Sequence, residues 1–229
     1  MESLSNPVEL VRKPQPNNAR TRRIAVAAPV TGPLDEDGPE SERGAQDDEL
    51  ERVMAASGSA LLPPIVWLAI ETAMRRGEIV SLQWEHVDLR RRVAHLPATK
   101  NGDARDVPLS SRAMLVLQTL QDARNDAKDR AANPGQVFEI RGDAVTRAFE
   151  RAVTRARTAY VKACKEAVQR PDAKFLTDLR FHDLRHEATS RLASIFPMHE
   201  LTKITGHKDP RMLMRYYHPR AEDLAKRLE

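Results

Sequence analysis

Phe181-His182-Asp183-Leu184-Arg185-His186 is the stretch from which the rest of the chain can be read. On a helix, His182 and Arg185 are three residues apart and share a face, while Phe181, Leu184 and Ala188 line the other side. The apolar recurrence continues through Leu192 and Ile195, which predicts a helix from Phe181 onward. Histidines at 182 and 186 also have the i, i+4 spacing of a zinc site. That motif wants glutamate directly after the first histidine, and here Asp183 follows. Arg185, planted between the two histidines, repels a metal cation and attracts a phosphate.

Moving toward the C-terminus, Gly206-His207-Lys208-Asp209-Pro210-Arg211-Met212-Leu213-Met214-Arg215-Tyr216-Tyr217-His218 carries the next cluster. Gly206 closes a short helix, and Asp209-Pro210 has the cap-plus-first-turn pattern of another. A tyrosine on a short helix is commonly core packing. Tyr216 stands among His207, Arg211, Arg215 and His218, which is poor company for burial.

Toward the N-terminus, the apolar run from Leu61 to Met74, with Pro63 and Pro64 near its start, predicts a buried helix. It ends in Thr72-Ala73-Met74-Arg75-Arg76-Gly77-Glu78-Ile79, where two arginines interrupt the helix before it begins again. Between 91 and 109 the helical pattern breaks. Val93, His95 and Leu96 precede Thr99-Lys100-Asn101-Gly102, and Val107 and Leu109 follow it. Asn-Gly between extended runs predicts a hairpin, with Lys100 at its tip.

Each segment has an ordinary explanation: helix-end charge for the arginines, a solvated turn for Lys100, packing for the tyrosine. Together they supply arginines, a lysine, histidines and a candidate nucleophile without clustered carboxylates, which suits metal-free attack on a phosphodiester. Guanidinium forks bind non-bridging oxygens and stabilise charge that develops on phosphorus. A phenol with an ordinary pKa of about 10 needs a cationic setting or a base before it attacks. The leaving oxygen needs a proton, which lysine or histidine can supply. Metal-dependent nucleases would want several Asp or Glu ligands instead.

In this order and at these separations, the four segments resemble the signature of the tyrosine site-specific recombinases, the phage integrase family. The family's Thr-Gly-x-Arg-x-x-Glu segment corresponds to Thr72 through Glu78, which makes Arg75 the first catalytic arginine and Glu78 its structural acid. The hairpin lysine corresponds to Lys100, His-x-x-Arg to His182 and Arg185, and the Gly-His pair with its nucleophile nine residues later to His207 and Tyr216. Ala73 stands where the family usually has glycine, and Thr205 where it commonly has leucine; both departures are expected to affect local packing alone. Motif spacing selects Tyr216 over Tyr217, and on a helix these neighbours would point about 100° apart.

The resemblance covers roughly residues 47–220 and implies a mainly α catalytic domain with a small antiparallel β-sheet. It implies type IB chemistry: a 3′-phosphotyrosine on Tyr216, double-stranded DNA as partner, no cofactor and no metal. The full-length protein would assemble as a tetramer on two DNA sites, the fragment being monomeric. A non-catalytic DNA-binding descendant and a topoisomerase-like relaxing enzyme remain as alternatives. The family's core-binding domain is expected to be missing here, with Asn6 to Pro14 resembling the stretch where it ends.

The bulk properties agree with a polyanion partner. The 229-residue chain has a formal net charge of +4, unevenly spread. Residues 1–33 hold five Lys/Arg against two acids, and residues 34–51 hold nine acids against Arg43 alone, leaving +9 for the body. Residues 1–46, rich in proline and then in acid, read as a linker or tail without a fold. Helices are expected to begin at Asp47 and over 110–130 and 143–170. A tail helix is expected at 221–229, with Leu224 and Leu228 offering a small apolar stripe to a neighbouring protomer. A single cysteine, Cys164, excludes an intrachain disulfide framework. With no membrane span and no signal-peptide layout in the sequence, a cytoplasmic protein encoded by a bacterium, phage or mobile element is the expectation.

Overall fold

The structure, a computed structural model, describes residue 24 and residues 49–97, 103–126 and 135–217. Its elements run α1 (Glu49–Ala55), α2 (Leu62–Thr72), α3 (Arg76–Val80), β1 (Val87–Asp88), β2 (Val93–Leu96), β3 (Arg105–Pro108), α4 (Ser111–Asp126), α5 (Gly142–Glu166), α6 (Phe181–Ala193), α7 (Met198–Thr205) and α8 (Arg211–Met214). The fold is mainly α with one small antiparallel sheet. No helix among the described residues is long and apolar enough to cross a membrane.

Helix α2 is the axis of the core. Ile65, Val66, Leu68, Ala69 and Ile70 are all buried, and the helix packs against α1, α3, α4, α5 and α6. Near-continuous burial requires an apolar helix on almost every side. Pro63 and Pro64 fit because the first-turn amides have no intrahelical acceptor to lose. Helix α5 shows the amphipathic alternative. Val145, Ala148, Phe149, Ala152, Val153 and Ala156 recur at spacings of three and four and face inward.

The sheet has the order β1-β2-β3, with Val93 opposite Pro108 and Leu96 opposite Arg105. Ala94, Leu96 and Val107 point into the core. His95 and Asp106 pair outside, Nδ1 to Oδ1 at 2.8 Å. The period-2 pattern found β2 and β3 but not β1, whose two residues give too short a run to alternate. The hairpin tip with Lys100, Asn101 and Gly102, and the tail helix at 221–229, lie outside the described residues.

Some expectations are corrected. Arg185 lines the same cavity as His182, as their shared helix face implies, but it is 6% exposed, as buried as the apolar stripe beside it. Ile195 is not part of that stripe, since α6 ends at Ala193 and the side chain is exposed. Glu49, an acid in the first turn of α1, is buried and accepts from the Leu176 amide at 2.8 Å. Within the segment read as an unfolded tail, Ile24 is a core residue, and its amide donates to the buried Glu187 carboxylate at 3.2 Å. Helices α4 and α5 start close to where they were expected, and α5 stops at Glu166.

Candidate active site

Two helix starts build the site in the same way. At α3, the Arg75 amide donates to Glu78 Oε2 at 2.7 Å; at α6, the Arg180 amide donates to Asp183 Oδ2 at 2.8 Å. In each case an acid at the third helical position satisfies an amide that the helix cannot. The α2–α3 junction itself depends on Ala73, whose φ of 54° places it in the left-handed region and turns the chain sharply toward Arg75. That conformation costs an L-residue about 1–2 kcal/mol and nothing comparable for glycine, so the departure noted in the sequence is a backbone matter rather than one of packing.

Three arginines are then wired together. Arg75 donates through Nη1 to Glu78 Oε1 at 2.8 Å and through Nη2 to the Gly206 carbonyl at 3.1 Å. Arg105 on β3 donates to Glu78 Oε2 at 2.7 Å and through Nε to the Ile204 carbonyl at 3.0 Å. Arg185 donates through Nη1 to the Ala73 carbonyl and through Nη2 to the Thr205 carbonyl at 2.7 Å. Glu78, 6% exposed, is the carboxylate shared by two of them, and their charges and hydrogen bonds outweigh burial to hold it below the ordinary carboxylate range. Burial first, then Arg75, lowers Arg185 to about 10, which leaves it charged at neutral pH. Arg75 and Arg185 each have three of five N–H groups uncommitted to partners among the described residues.

Gly206, with φ 66°, ends α7 and presents His207 to this frame. A side chain there would press against the Arg105 guanidinium at 2.9 Å, so glycine answers both the turn and the close approach. Thr205 does more than pack. Its hydroxyl donates to the Leu201 carbonyl at 2.7 Å and lies 2.6 Å from His207 Nδ1, a contact in which either partner can carry the proton. Burial, and then the charges of Arg185 and Arg75, push His207 down to about 4. His182, lining a cavity of about 450 Å³ with Arg75, Arg180 and Arg185, is also lowered, by burial and by Arg185.

The two tyrosines separate as expected, but not on a helix. Helix α8 ends at Met214, and both lie in the turn that follows. Tyr216 Oη lies within hydrogen-bond distance of His186 Nδ1, at 2.6 Å, and Arg215 Nη2 donates to Tyr216 Oη at 3.0 Å. Tyr217 turns the other way and donates to the Phe196 carbonyl at 2.6 Å. Tyr216 also lies near enough to act on the charge of Arg185. The structure therefore brings Arg75, His182, Arg185, His207 and Tyr216 into one neighbourhood, while Lys100 falls outside the described residues. Sequence reading missed the parts played by Arg105, Thr205 and Arg215, and saw His186 only as half of a zinc pattern.

The phage integrase family matches residues 45–223 of the chain. The shufflon-specific DNA recombinase of Escherichia coli is 37% identical over 227 residues, covering 98% of this chain and 47% of that protein. The chain spans about half the length of the curated relatives it matches. Among solved structures, XerA recombinase aligns with a TM-score of 0.55 at 21% identity, over 79% of this chain and 61% of that one. The Tn1549 transposon integrase, solved in complex with transposon right end DNA, aligns with a TM-score of 0.56 at 20% identity, over 85% and 67%. At those identities the likeness concerns the fold.

Proposed function

The chain belongs to the phage integrase family, the tyrosine recombinases, and we propose that it cuts and rejoins double-stranded DNA at specific sites through Tyr216. The observation that carries this reading is the divergence of the adjacent tyrosines: Tyr216 joins the arginine and histidine cluster, and Tyr217 is spent on a backbone carbonyl.

Arg75, Arg185 and His207 hold the scissile phosphate. The uncommitted guanidinium N–H groups face the non-bridging oxygens, and a frame already fixed by Glu78 and four backbone carbonyls needs little reorganisation as charge builds on phosphorus. His207 is neutral at pH 7, so it donates through Nε2 when Thr205 gives its hydroxyl proton to Nδ1. Tyr216 displaces the 5′-oxygen, giving a 3′-phosphotyrosine; Lys100 protonates the leaving oxygen, and His182 assists proton transfer. A 5′-hydroxyl from another strand reverses the step. The ester retains the bond energy, so the reaction needs neither ATP nor a metal. Recombination by a tetramer on two DNA sites belongs to the same reading.

The test is a library of nicked duplexes of random sequence, incubated with the chain in EDTA, from which covalently attached strands are recovered. Adducts on selected sequences, absent with Tyr216→Phe, are expected. No adduct from the library, or an undiminished adduct from Tyr216→Phe, would overturn the reading.

A further inference from the structure

We propose that His186 is the general base that takes the proton from Tyr216, and that Arg215 holds the phenolate so formed. This rests on Tyr216 being the nucleophile and adds the group that activates it.

Three atoms form a closed triangle. Tyr216 Oη lies 2.6 Å from His186 Nδ1, Arg215 Nη2 lies 2.7 Å from the same nitrogen, and Nη2 lies 3.0 Å from Oη. A neutral imidazole has one lone pair in its ring plane. Two donors therefore compete for Nδ1, and the other nitrogen, Nε2, carries the proton. The competition resolves when the tyrosine proton moves. Once Nδ1 is protonated it can no longer accept from Arg215, and that guanidinium N–H is left with the phenolate oxygen as its acceptor. A bond between a cation and an anion is shorter and stronger than one to a neutral hydroxyl. The rearrangement thus favours the state in which Tyr216 is ready to attack. Arg215 also lies over the Tyr216 ring, 5.0 Å from its centroid, so the charge stays with the group it serves.

The surroundings keep the lone pair available. Around His186 stand His182, Asp183 and Arg185 from α6, Arg215 and Tyr216 from the turn after α8, and His207 from the turn after α7. Burial, then His182 and Arg215, hold the imidazole down to about 4 against the opposing pull of Asp183. At neutral pH it is unprotonated and accepts. A phosphodiester entering among Arg75, Arg185 and Arg215 offsets the cations that depress it, which strengthens the base when substrate arrives. His182 meets His186 edge-on at 4.8 Å between centroids. That contact fixes the plane of the imidazole, while His186 is the histidine that touches the phenol.

The step balances. As the Tyr216 Oη–phosphorus bond forms, the Oη proton passes to His186 Nδ1. The bond from phosphorus to the 5′-oxygen breaks, and that oxygen leaves with a proton from a general acid, for which Lys100 is the donor in the reading above. In rejoining, the 5′-hydroxyl attacks phosphorus and loses its proton to that general acid, while His186 returns its proton to the departing Tyr216 oxygen.

The experiment uses a duplex recovered from the random library, made with an ordinary bridging oxygen and again with a 5′-bridging sulfur, whose departure needs no proton. His186→Ala is expected to form the covalent adduct about a hundredfold more slowly or worse on both substrates. His186→Asn, which keeps a hydrogen-bond acceptor near the Nδ1 position but cannot hold the proton, is expected to be similarly slow. Lys100→Ala is the contrast, slow with oxygen and restored with sulfur. Thermal melting of each variant separates misfolding from lost chemistry, and imidazole NMR of the parent is expected to show Nδ1 unprotonated at pH 7. His186→Asn within threefold of the parent, rescue of either His186 variant by sulfur, or a proton on Nδ1 would each overturn the base assignment. An adduct from Tyr216→Phe would instead overturn the nucleophile.

Discussion

The arginine frame and the tyrosine turn are built to opposite standards. In the frame, Arg185 and Arg105 are 6% and 9% exposed, and every anchoring contact reaches a backbone carbonyl or the buried Glu78 carboxylate. The tyrosine turn follows a helix of four residues, with Met212 and Met214 exposed and the Tyr216 hydroxyl held by two side-chain contacts. On the proposed reading, the groups that would hold the phosphate are anchored to the core, Arg185 more deeply than the 41% exposed Arg75, and Tyr216 is attached to them by a latch. A site that must attack, stay covalently bound and then be displaced gains from that division. The part that stabilises charge is fixed before reaction, and the part that moves is cheap to move.

Removing Arg185 should strike fold and chemistry together. Arg185→Ala is expected to slow adduct formation by about a hundredfold or more, because a preorganised charge on phosphorus is lost. It also orphans the Ala73 and Thr205 carbonyls, at about 1–3 kcal/mol each, read by denaturant unfolding. Arg215→Ala is the counterpart in the latch. Adduct formation should fall about tenfold, as for one charge-assisted hydrogen bond, with stability within about 0.5 kcal/mol of the parent. Equal destabilisation by the two variants would erase the distinction between frame and latch.

Acid should loosen the molecule in two stages. His186 and His207 are lowered to about 4, so between pH 6.5 and 4 the unfolded chain takes up protons that the folded one refuses, and stability falls as pH drops. Glu78 is held below 4.5, so its contribution is present above that pH and is lost as pH falls through its depressed value. Midpoints of unfolding against pH should slope less steeply between 6.5 and 4 in His207→Gln. The smallest effect belongs to the frame's hinge. Ala73→Gly relieves a positive φ and is expected to raise stability by about 0.5–1 kcal/mol, the gain reduced by the extra freedom of glycine when unfolded.

What the sequence made legible follows from the same contrast. Arg75, His182, Arg185, His207 and Tyr216 could be singled out because their motif spacings are local, despite the departures at Ala73 and Thr205, and the α2 and α5 helices because burial leaves a periodic trace. The wiring between segments left no such trace. Arg105 sits in a strand whose alternation marks Val107, and nothing in its neighbours shows that its guanidinium reaches Glu78, 27 residues away. Thr205 looked like an exchange for an apolar residue, yet its hydroxyl meets a histidine two positions on. His186 drew notice only for its metal-like spacing from His182, and nothing local shows that it meets Tyr216, 30 residues later. Ala73 could be noticed as a departure, but its cost is a dihedral angle.

The most direct test of the account is to identify the residue that carries the DNA. The adduct formed on a library-selected duplex would be digested with a protease, and the phosphorylated tyrosine located by mass spectrometry of the nucleotide-bearing peptide. The account expects the modification on Tyr216, with Tyr217→Phe leaving its yield unchanged. A phosphotyrosine at 217, or a stable adduct on any residue outside the Arg215–Tyr216 turn, would contradict it.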